Sequence, residues 1–205
     1  MPLAAGAPGP GMEIALRAEP LRGDSVEVLL GAVDRESSPY TGEPVYRRRD
    51  VRSPERMPDF GSFRPTETVH APAAYLVPPD QRDVIERLEA HGVRTARLDR
   101  DAAIEVEEFR VDSMRTAERE YQGHELRQMW GGWEVARLTV AAGTVVVPVR
   151  QPPGRLVVVL LEPRSEDGFA AWNLLDESLE ATGAYPIVRV QRLPVESCGT
   201  CVAFR

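Results

Sequence analysis

Proline sets the first limit on this chain. Eighteen prolines and sixteen glycines are spread over 205 residues, and a proline inside a helix removes a hydrogen bond and clashes with the preceding turn. Pro39, Pro44, Pro54, Pro58, Pro65 and Pro72 all fall within residues 36–72. Long helices and helix bundles are therefore excluded, and a strand-rich, loop-rich α+β architecture is expected. Hydrophobic residues make up 42% of the chain, enough to build a real core.

The net charge of −7 comes from 25 basic and 32 acidic residues that do not gather into a patch able to follow phosphates, so nucleic acid is not an expected partner. Every basic residue is Arg, which rules out a Schiff-base lysine or a P-loop lysine. The apolar run at 156–161 is far shorter than a bilayer requires, so no membrane partner is expected. Residues 1–11 lack a basic n-region and a continuous apolar h-region and read as a flexible lead, so the chain as encoded is expected to be cytoplasmic.

Residues 12–20 and 24–35 read as two strands joined at Arg22-Gly23, with Val26, Val28 and Leu30 on one face. Residues 36–72 read as an extended, turn-rich connection pinned to the body by Tyr40, Tyr46, Phe60 and Phe63. The clearest local signal is a β-α-β segment over 73–98. Its helix, at about 80–91, takes Asp80 as N-cap, places Val84, Ile85 and Leu88 at helical spacing, and stops at Gly92. Such a segment usually joins parallel strands.

The phase of alternation shifts between Ile104-Val106 and Phe109-Val111, which suggests a bulge near Glu107-Glu108. Gly131-Gly132 between two apolar runs reads as a β-hairpin turn. Residues 143–149 and 155–163 read as strands buried on both faces. A short helix within 168–183 and a closing strand at 185–190 complete a single β-rich domain over 12–190, followed by a tail at 191–205. One clear helix is thus expected in the whole fold.

Few residue groupings suggest chemistry. His124-Glu125 begins like a zinc motif, but position 128 is Gln and the setting is a strand. His70 and His91 stand alone. Cys198 and Cys201 have redox or half-zinc spacing but lack further ligands or a helix start, and read as part of a frayed tail. Glu162, Glu166 and Asp167 contain a possible carboxylate pair, yet Ser165–Gly168 is first of all a solvated turn. The Gln151 amide is placed to satisfy backbone groups where Pro152 ends the ladder.

Several motifs agree in order and spacing: Val147-Pro148, Gln151-Pro152, Leu161-Glu162-Pro163, Ser165, Asp167-Gly168 and Trp172-Asn173, with residues 72–98 upstream. Together they resemble the region C-terminal to the catalytic domain in bacterial zinc carboxypeptidase-family (metallocarboxypeptidase-like) proteins. The resemblance implies an accessory domain, truncated or separately encoded, whose partner is a peptidase catalytic domain or a second copy of itself. That family's zinc site needs His-x-x-Glu, and Ala73, Arg94 and Arg127 stand where the Glu would follow His70, His91 and His124. No catalytic, cofactor-binding or metal residue carries over, and zinc belongs to the absent catalytic domain. The alternative is a small hydrolase-type enzyme with a site near His124, Glu162 and Asp167.

Overall fold

The computed structural model describes residues 8–192. Cys198 and Cys201 lie outside the described residues, as do most of the expected lead and tail. The described chain divides into two units, one built from residues up to 17 and from 66 onward, the other from residues 18–65.

The larger unit is organised by a six-stranded sheet. Its strands are β5 (Ala74–Val77), β6 (Ala96–Arg97), β7 (Ala102–Thr116), β8 (Arg127–Val140), β9 (Val145–Pro148) and β10 (Val188–Val190), in the order β6-β9-β5-β10-β7-β8. Every pairing in it is antiparallel. Three helices, α1 (Arg82–Ala90), α2 (Gly154–Leu161) and α3 (Asp176–Thr182), contribute to the main core. Val84, Ile85 and Leu88 of α1, Val157, Val158 and Leu161 of α2, and Leu179 of α3 join Tyr75, Val77, Val145 and Val147 of the sheet there. A second, smaller core contains Ala74, Leu76, Ile104, Val106, Val146 and Val190 and no helix residue. Strand alternation sends successive side chains of β5 to these two cores in turn. Among the described residues no helix is long and apolar enough to cross a membrane.

Among the described residues three helices replace the single one expected, and the main correction is α2. Its Val157-Val158-Val159 run has high strand propensity, and a short continuous apolar run cannot be assigned by period alone. Here Gly154, Val157, Val158 and Leu161 are buried at i, i+3, i+4 and i+7, the stripe that one helix face needs. Pro153 is the N-cap, where its missing N–H costs nothing. Gly154 also fits a tight space: a Cβ there would lie 1.9 Å from the Val149 carbonyl oxygen, which would have to shift.

The expected hairpin at Gly131-Gly132 is also corrected. Both glycines lie inside β8, opposite Val111 and Arg110. A Cβ on Gly131 would come within 2.0 Å of the Arg110 oxygen and 3.0 Å of the Phe109 ring, so glycine marks a close approach of backbones there. The turn lies instead at Gln122-Gly123, with φ of 51° and 84°, the positive pair that a tight hairpin turn needs. The bulge falls between Val111 and Ser113. In the β-α-β segment, β5 and β6 run in the same direction but are separated by β9, which pairs antiparallel with both. Gln81 rather than Asp80 is the N-cap of α1, and Gly92 after it has φ 72°.

β1 (Glu13–Leu21) pairs with β4 (Ser62–His70), and β2 (Ser25–Ser37) pairs antiparallel with β3 (Pro44–Pro58). The two strands expected to pair with each other through Arg22-Gly23 thus take different partners, and the expected connection is itself mostly strand. Prolines are compatible with this because a two-stranded ribbon leaves an open edge on each strand. Tyr40, Tyr46, Phe60 and Phe63 are all exposed.

Candidate functional site

The register of three neighbouring strands builds the most unusual feature of the larger unit. Arg189 of β10 lies opposite Tyr75 of β5 on one side and Glu107 of β7 on the other. These three side chains therefore share one face of the sheet. Glu162, the residue that ends α2, has extended backbone and meets that row. Its Oε1 accepts hydrogen bonds from the Tyr75 hydroxyl (2.5 Å) and from Arg189 Nε (2.9 Å), and its Oε2 pairs with Arg189 Nη2. Glu162 and Arg189 are only 1% and 6% exposed, so this is a buried ion pair with bidentate geometry.

Aromatic rings surround the pair. The Arg189 guanidinium lies 3.9 Å from the centre of the Trp133 ring, within cation-π range. Trp133, Phe109 and Tyr185 meet edge to face with centroids 5.3–6.3 Å apart. The Tyr185 hydroxyl donates to the Leu161 carbonyl at 2.7 Å, which caps the open end of α2. Burial pushes the Glu162 carboxyl up, against the pull of Arg189. Burial first, and then the Glu162 charge, pushes the Tyr75 and Tyr185 phenols well above their ordinary range.

Glu107 links this node to solvent. Its Oε2 lies 3.9 Å from Arg189 Nη1 and accepts a 3.0 Å bond from Gln191 Nε2. Glu107 and Gln191 also line an open groove of about 560 Å³ with Glu105, Val135 and Arg192.

A second polar cluster lies at the β7–β8 turn. Tyr121 and His124 exchange backbone hydrogen bonds, and both rings pack on Trp172, the His124 ring at 5.2 Å. Asn173, with φ 67°, donates to the Glu125 carbonyl and to Asp176 Oδ2, which also accepts a 2.8 Å bond from Arg127. Burial raises the Asp176 pKa, opposed by Arg127.

The three residues of the hydrolase alternative have separate roles. Glu162 is bound in the node, His124 packs on Trp172, and Asp167 is exposed in its turn. Gln151 accepts from the Arg94 N–H at 2.8 Å and donates to the carbonyls of Arg94 and Pro148, the backbone role its sequence position suggests. Tyr75, Arg189 and Glu107 were not found from sequence. The available signal was Arg189 itself: a charge in the middle of the apolar run 187–190 needs a buried partner. Among the described residues no group of three or more His, Cys, Asp or Glu could hold a metal ion.

The comparisons with known proteins point in one direction. Carboxypeptidase 2 of Trichophyton tonsurans is 31% identical over 137 residues, covering 65% of this chain and 25% of that protein. Carboxypeptidase 2 of Trichophyton rubrum is 29% identical over 136 residues, with the same coverage. This chain is a distant relative of fungal carboxypeptidases. A probable carboxypeptidase 2 of Arthroderma benhamiae matches at 30% over 112 residues, 53% of this chain and 21% of that protein. The match thus spans about a quarter of the length of these curated relatives, and they are fungal where the sequence motifs suggested bacterial ones. No family profile and no solved structure matches the chain.

Proposed function

We propose that this chain is a non-catalytic accessory module of a carboxypeptidase-type protein, placed C-terminal to a peptidase catalytic domain and packing against it through residues 18–65. The observation that carries the reading is that no residue between 18 and 65 is buried, although the segment holds long strands. Leu29, Tyr40, Tyr46 and Phe63 are 64–96% exposed. A ribbon of this kind is marginal by itself, and apolar surface left open at this density marks an interaction site. Residues 12–190 act as one accessory domain in this reading, and any zinc chemistry resides in the catalytic partner.

The buried node supports the same reading. A general acid or base must reach the substrate, and both Glu162 oxygens already have partners inside the core.

The test pairs the purified chain with the separate catalytic domain of a Carboxypeptidase 2. The expected result is no release of C-terminal residues by the chain alone, and saturable binding to the catalytic domain that Tyr46→Ser with Phe63→Ser weakens. Peptide cleavage by the chain alone, or binding indifferent to both substitutions, would overturn it.

A further inference from the structure

The two open edges of the β2–β3 hairpin differ. The β3 strand carries Pro44, Pro54 and Pro58 together with Arg47, Arg48, Arg49 and Arg52. It also bulges: Gly31 pairs with Arg52 and Val33 with Arg48, so Arg49, Asp50 and Val51 oppose Ala32 alone. Prolines, charges and bulges are the devices that keep an edge from recruiting another strand. β2 has no proline, and from Val28 to Val33 it carries no charge. Its charges lie just outside that stretch, at Glu27 on one side and at Asp34, Arg35 and Glu36 on the other.

We propose that the β2 edge pairs antiparallel with the β2 edge of a second copy of this chain, about a two-fold axis at Gly31. The result is a four-stranded sheet in the order β3-β2-β2-β3. The charges select this register. With Gly31 on the axis, Glu27 faces Arg35 of the second copy and Leu29 faces its Val33, and two-fold symmetry makes each contact twice. Paired side chains must share a sheet face, so this strand can slip against its copy only by two residues, which sets Glu27 against Val33 or Ser37 and loses both opposite-charge contacts. Glu27 and Arg35 are the members of this set left over within one chain. Asp34 and Glu36 are paired with Arg49 and Arg47, whereas Glu27, opposite Arg56 on β3, and Arg35 are exposed and make no ion pair among the described residues.

Strand addition also remedies what the hairpin lacks, because three or more strands are needed for independent stability. The pairing does not depend on the reading of the chain as an accessory module, and its test uses this chain alone.

Sedimentation of the full chain over a range of concentrations is expected to show a reversible dimer. Glu27→Arg and Arg35→Glu, each alone, place like charges at both symmetric contacts and are expected to weaken association about tenfold or more. Mixing the two variants restores opposite charges at both contacts, and with them the dimer. A misfolded variant would not be rescued in this way. Gly31→Cys, in a chain carrying Cys198→Ser and Cys201→Ser, is expected to cross-link to itself on mild oxidation, because space around the Gly31 Cβ position is open. A chain that stays monomeric, a mixture that fails to recover, or a dimer that neither charge reversal weakens and Gly31→Cys does not cross-link would overturn the proposal.

Discussion

β5 and β3 are both antiparallel strands with apolar residues, yet all four residues of β5 are buried and none of the fifteen in β3 is. The difference lies in what each strand has beside it. β5 has β9 and β10 as neighbours, and its side chains enter both cores of the larger unit. β3 has only β2. Burial, rather than strand propensity, decides how much a residue contributes to stability, because apolar contacts reward only the surface removed from water. Equivalent substitutions in the two regions should therefore differ widely.

The largest effect is expected at the node. Glu162→Ala leaves the Arg189 guanidinium buried without its carboxylate, and breaking a buried pair in this way costs about 3–5 kcal/mol. Removing both charges, as in Glu162→Gln with Arg189→Met, is expected to cost less than Glu162→Ala alone. Chemical denaturation of the three proteins checks both statements, and equal losses would mean that the pair is not the source of the effect.

The next comparison uses one substitution at two glycines. Gly154→Ala must push back the Val149 carbonyl oxygen, 1.9 Å from the new Cβ, and overpacking of this kind costs roughly 1–3 kcal/mol. Gly31→Ala meets nothing within 4 Å and is expected to leave stability unchanged. Thermal melts of the two variants should separate them clearly.

How far these features could be read from sequence follows the same contrast. α1 was legible because Val84, Ile85 and Leu88 repeat at helical spacing and Gly92 follows. α2 was not, since a run of valines and leucines carries no period until the fold chooses which face is covered. Gly131-Gly132 shows the limit of local turn signals: a glycine pair fits a tight turn and a crowded strand interior equally well, and only the Phe109 ring and Arg110 carbonyl distinguish them. Glu162 was noticed, but as a member of a solvated turn, because its partners Tyr75 and Arg189 lie 87 and 27 residues away. The strands β3 and β4 were hidden by their prolines, which forbid a central strand but not an open-edged ribbon.

Alkaline pH should act on the larger unit through two buried phenols. Folded Tyr75 and Tyr185 hold their phenols well above the ordinary value through burial, so the unfolded chain loses these protons first. The stability they contribute is complete below the ordinary phenol pKa of about 10 and is lost as pH rises through the folded values. Denaturation midpoints are expected to fall above that pH, with a shallower fall in Tyr185→Phe.

The smallest effect is expected at the surface pairs of the hairpin. Arg49 lies 3.5 Å from Asp34 and Arg47 lies 3.4 Å from Glu36, with all four side chains more than half exposed. At such positions water screens the attraction, and ordering two long side chains offsets much of it, so each pair is worth about 0–1 kcal/mol. A double-mutant cycle over Arg49→Ala and Asp34→Ala should therefore return a coupling near the lower end of that range, fading in high salt. The node also contains an Arg-carboxylate pair, and a cycle over Glu162 and Arg189 should return a several-fold larger coupling that salt barely moves, because ions in solution cannot approach a pair buried beneath Trp133 and Tyr75. Equal couplings in the two cycles would mean that burial is not what separates the two regions.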